Sequence, residues 1–126
     1  MVKELENVAS DKAFFIFNGP KINNLYELAE VFENISDASF RHHVTAQKND
    51  FSNWARDVIG DSELAAKLIS AKNKSKMAYL ARERISQLET LEAASHTKAL
   101  LKFGMLDFLL GIIIGVIAGV ILVSFL

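Results

Sequence analysis

The chain has 126 residues, and its 14 Lys and Arg nearly balance 15 Asp and Glu. That balance leaves no net field that would draw nucleic acid or an acidic partner to the molecule as a whole. The absence of cysteine excludes a disulfide framework and any thiolate zinc site. The length suits one small domain with flanking segments.

In chain order, MVKELENVASDK (1–12) is a polar tail with no apolar core of its own, so it does not read as a secretory signal. AFFIF (13–17) is a short apolar run that ends at the turn signal NGP (18–20). Its aromatic and β-branched content favours an extended segment. With few partner strands in sight, it is expected to pack on helices, with Phe14, Phe15 and Phe17 in the core. In INNLYELAEVFENI, Leu25, Leu28, Ala29, Phe32 and Ile35 share one helical face. Asn24 is a good N-cap, with Glu27 placed for a capping box. Ser36 or Asp37 then caps a short helix through SFRHHV.

Asn49 or Asp50 starts the next helix, with Phe51, Trp54, Ala55 and Val58 on one face and Gly60 as its stop. Asp61 caps a further helix with Leu64, Ala65, Leu68 and Ile69 inward. After AKNKSK, Ser75 is placed to open a long helix to about Gly104, with Met77, Leu80, Ile85, Leu88 and Leu91 as a narrow apolar stripe. Such a stripe can close a bundle or pair with a second copy. Beyond Leu91 the pattern fades into a stalk.

From Phe108 to Leu126 no residue is charged and only Ser124 is polar. As a helix the run spans roughly 28 Å, close to a hydrocarbon core of about 30 Å. A domain this small could not bury a helix that is apolar on all sides. Lys98 and Lys102 precede the run, which favours a cytoplasmic N-terminal part and a tail anchor. The expected architecture is therefore mainly α: a polar tail (1–12), a helical domain (13–71), a basic loop and stalk helix (72–104) and a transmembrane helix (105–126).

An ordered series of short motifs carries a resemblance. They are Phe15 and Phe17 with Gly19 (one position short of F-x-F-x-x-G), L-x-E-L-A (25–29), F-R-H-H-V (40–44), N-D-F-x-x-W (49–54), D-V-I-G-D (57–61) and L-A (64–65). Together they resemble the prokaryotic domain of unknown function 5752 over about residues 13–70. The resemblance implies a compact, mostly helical module of bacterial or archaeal origin and brings no activity with it.

His42 and His43, with Asp50, Asp57 and Asp61, are the candidates for a metal or acid–base site. Adjacent histidines on a helix point about 100° apart, and these aspartates occupy positions suited to caps and wet faces. A structural role is therefore favoured, and no catalytic residue, metal or cofactor is expected. Trp54 belongs with the core by its spacing. The basic stretch supplies Lys72, Lys74, Lys76, Arg82 and Arg84 against Glu83 alone. Cations in a first helical turn oppose the helix dipole, so a docking role for an acidic partner competes with that of a solvated face. Gly111, Gly115 and Gly119 recur every four residues below Asp107 and form a smooth face suited to close helix packing.

These features predict a non-enzymatic binding or scaffolding module, anchored by a single span. The glycine face would associate with a second copy or with a membrane-protein partner, and no nucleic acid is expected. A small oligomeric pore ringed by Asp107, or an enzyme using His43 and a nearby aspartate, are the alternatives.

Overall fold

Short polar side chains set where each helix begins. Asn24 Oδ1 accepts the Glu27 N–H at 2.8 Å and opens α1, Leu25–Asn34. Ser36 Oγ accepts the Ser39 N–H at 3.1 Å before α2, Asp37–His43. Asn49 Oδ1 accepts from Ser52 at 3.0 Å before α3, Asp50–Trp54. Asp61 Oδ1 accepts from Leu64 at 3.0 Å before α4, Ser62–Ser70. The long helix α5, Lys74–Leu100, is opened by Asn73, whose Oδ1 accepts the Lys76 N–H at 2.8 Å, and not by Ser75. Each cap satisfies a backbone donor that the first helical turn would leave without a partner. These details come from a computed structural model that describes residues 1–105, 112, 114–116 and 119.

The extended run does have a partner strand. β1, Phe14–Phe15, pairs antiparallel with β2, Lys21–Ile22, placing Phe14 opposite Ile22 and Phe15 opposite Lys21. The turn between them closes through the Gly19 N–H to the Ile16 carbonyl, with Asn18 in the left-handed region at φ 52°. A Cβ on Gly19 would come within 2.7 Å of the Ile16 side chain, so the turn has room only for glycine there. A two-residue strand is too short to leave a periodic signal, which is why β2 escapes sequence reading. Strand alternation also corrects the expectation that all three phenylalanines are core. Phe14 and Ile16 face inward, whereas Phe15 and Phe17 are 69% and 44% exposed.

The chain divides into two units, Met1–Thr90 and Leu91–Leu126. In the first, the buried face of α1 (Leu25, Leu28, Ala29, Phe32) meets Phe51 and Trp54 of α3, Leu64, Ala65 and Leu68 of α4, and Met77, Leu80, Ala81, Ile85 and Leu88 of α5. Leu5, from a short 3₁₀ turn at Lys3–Leu5, joins the same core. The backbone widens to π geometry over Ala55–Ile59 and stops at Gly60, whose φ of 84° suits glycine. Two positions expected inward are exposed: Ile69 at 61% and Leu91 at 59%. The α4 stripe closes at Leu68, one residue and about 100° short of Ile69, and Leu91 falls past the end of the first unit.

In the second unit α5 ends at Leu100 and a π-type turn covers Leu101–Met105. Ile114 and Val116 are exposed. Among the described residues, no atom lies within 4 Å of a Cβ added at Gly115 or Gly119. Among the described residues no helix is long and apolar enough to cross a membrane. Asp107, Gly111 and most of the apolar run 108–126 lie outside the described residues.

Candidate functional site

Residues 42–50 bring the two histidines and an aspartate against the hairpin. His43 is 5% exposed at the end of α2. The Phe17 N–H donates to its Nε2 at 2.9 Å, so that nitrogen accepts and the ring proton sits on Nδ1. Nδ1–H in turn donates to Asp50 Oδ2 at 3.0 Å. Burial acts to raise the Asp50 carboxyl, but hydrogen bonds from His43 and Lys48, with the Lys48 charge, hold it below its ordinary value. The histidine–aspartate pair thus converges, with its outer nitrogen occupied by backbone. His42 points elsewhere and stacks on Phe17 at 4.1 Å between ring centres.

The other aspartates are dispersed. Asp57 pairs with Arg56 at 2.8 Å on the surface, and Asp61 is a buried helix cap. Among the described residues no three His, Asp or Glu side chains gather as a metal site would require. Trp54 is core, as its spacing indicates, and its Nε1–H donates to the Lys12 carbonyl at 2.8 Å.

Three of the five basic residues of the 72–84 stretch pair with carboxylates of other helices. Lys74 Nζ pairs with Asp37 at 2.8 Å and donates to the Ile35 carbonyl at 2.9 Å. Arg82 grips Glu33 through two bonds of 2.9 and 3.0 Å. Arg84 reaches the buried Asp61 at 2.7 Å and Glu63 at 2.9 Å. Lys76 lies over the Tyr79 ring at 5.0 Å. Three cations of this stretch therefore bind α5 to α1, α2 and α4. Only the fold could reveal these pairings, because the carboxylates sit far away in sequence.

Lys72 has another setting. It lines a cleft of about 690 Å³ together with Arg41 of α2 and Lys48 of the Val44–Asn49 turn. Phe40, Val44 and the exposed Ile69 supply apolar wall. Asn49 and Asn53 also line it, and no carboxylate does. The turn is held by an antiparallel bridge between Val44 and Asn49 and by Thr45 Oγ1, which accepts from the Gln47 and Lys48 N–H groups at 3.2 Å. Asn49 Nδ2 donates to the Leu68 carbonyl at 3.2 Å and ties the turn to the end of α4. Arg41 and Lys48 were missed by sequence reading, since neither belongs to a basic run. A different cleft, of about 530 Å³, lies between the hairpin turn and α1 and carries mixed charge from Lys21, Glu27 and Glu30.

A model described as Family of unknown function (DUF5752) matches residues 7–109. The chain belongs to this family. The match reaches well beyond the 13–70 stretch and takes in all of α5, so the DUF5752 pattern includes the helix that the basic side chains lock in place. No curated protein and no solved structure matches the chain. Family membership fixes a fold unit, and function has to be argued from its surfaces.

Proposed function

We propose that the chain is a membrane-anchored binding module. In this reading the DUF5752 unit takes up a partner on the cytoplasmic side, and the apolar run 108–126 holds it at the bilayer. The observation that carries the proposal is that run itself, nineteen positions without a charge, preceded by Lys98 and Lys102. Its length suits one crossing, and the two lysines favour the cytoplasmic side for what precedes it. Gly111, Gly115 and Gly119, below Asp107, offer a face for a second copy or a membrane-protein partner. In a helix each glycine costs about 1 kcal/mol relative to alanine by soluble scales. Replacing Gly115 and Gly119 with isoleucine should weaken self- or partner-association in a membrane two-hybrid reporter. An unchanged signal at equal expression would remove the packing role.

A further inference from the structure

The cleft lined by Arg41, Lys48 and Lys72 carries charge of one sign. Its three cations arrive from α2, from the following turn and from the α4–α5 junction, with no carboxylate among the lining residues. Lys48 is partly neutralised by Asp50 at 3.0 Å. Among the described residues Arg41 and Lys72 form no ion pair, although Arg41 contributes a minor attraction to Asp37, whose main partner is Lys74. The Lys74, Arg82 and Arg84 charges are matched internally, so Arg41 and Lys72 carry the uncompensated charge of the cleft. Beside them Ile69 stands 61% exposed, with Phe40 and Val44 half-buried in the same wall.

We infer that this cleft docks an acidic peptide segment of a partner protein, one that carries a large apolar side chain among its carboxylates. The inference rests on the binding-module reading and names its partner class. Charge complementarity selects an anionic occupant. Apolar wall beside the cations suits a peptide better than a compact inorganic anion. Ile69, Phe40 and Val44 give an apolar side chain a place to leave water. A cleft of this volume falls within the common range for ligand sites, roughly 300–1,000 Å³.

The test is peptide display on the full chain in zwitterionic nanodiscs, with the Arg41→Glu/Lys72→Glu double variant screened in parallel. Both positions lie on the surface, and circular dichroism checks that the variant keeps its helix content. Enriched peptides should combine Asp or Glu with an aromatic or long aliphatic residue. On the variant their affinity should drop by about tenfold or more, as expected when two rim charges are reversed. Ile69→Ser should weaken the same peptides, and Lys76→Glu should not. Neutral peptides that bind both chains equally would overturn the cleft assignment and leave the binding module standing. No enrichment on either chain would overturn both. Displacement of the enriched peptides by millimolar inorganic phosphate would also overturn the peptide assignment, in favour of a small-anion site.

Discussion

Phe51 sits at the centre of the ring cluster that joins the hairpin to the helices. Its ring centre lies 4.9 Å from Phe32, 5.2 Å from Phe14, 5.3 Å from His43 and 6.3 Å from Phe40. It is fully buried, so Phe51→Ala leaves a cavity that rigid neighbours fill poorly and should cost about 3–5 kcal/mol. Urea unfolding followed by the fluorescence of Trp54, the chain's single tryptophan, measures this. His43 works in the same place by hydrogen bonding. His43→Phe keeps a ring but strands the Phe17 N–H and removes a donor from Asp50. The expected loss is about 1–3 kcal/mol, the cost of leaving partly buried polar groups unpaired. Stability equal to wild type would show that the two bonds add nothing to the fold. That histidine was visible in sequence as a candidate, and its divergence from His42 followed from helix geometry. The acceptor role of its Nε2 was not legible, because the Phe17 N–H reaches it only through the hairpin.

At the scale of elements, the caps were the most legible feature and the tertiary ion pairs the least. As caps, Asn24, Asn49 and Asp61 each accept a backbone N–H three residues on, so local sequence contains that interaction. Arg82 and Glu33 lie on different helices, and nothing near either announces the other. The hairpin was hidden for the same reason, and the exposure of Ile69 depends on where the α4 stripe ends. Asp61 combines both kinds of interaction, as cap of α4 and partner of Arg84, with its side chain fully buried. Asp61→Ala should therefore cost more than an ordinary cap, about 2–4 kcal/mol. Conservation of the urea midpoint in that variant would contradict the double role. The carboxylates that fasten elements also set an acid limit. Hydrogen bonds from their cationic partners hold Glu33 and Asp37 below their ordinary values, and Asp50 is depressed as well despite its burial. Groups depressed in the folded state stabilise it above their unfolded pKa and lose that contribution as pH falls through the folded value. Urea midpoints should fall as the pH drops below about 4. A midpoint that rises with acid would reverse the sign of the argument. Replacing Glu33 with Gln should shrink the acid-dependent part of the decline.

For the whole molecule, the helical character of the chain was readable from periodicity, and the family from six short motifs. The position of α5 was not, because its apolar stripe fits a stalk or a bundle equally well until the partner faces of α1, α3 and α4 are in place. The account joins the helical DUF5752 unit to a proposed anchor, and the anchor is its central claim. Placing one arginine at the middle of a span should cost about 2.5–3.5 kcal/mol by insertion scales. The most direct measurement is membrane fractionation with an alkaline wash, comparing the full chain with its Val116→Arg/Gly119→Arg variant at matched expression. The account predicts that the wild-type chain stays in the washed membrane pellet and that the double variant is released to the supernatant. Release of the wild-type chain by the wash would contradict it.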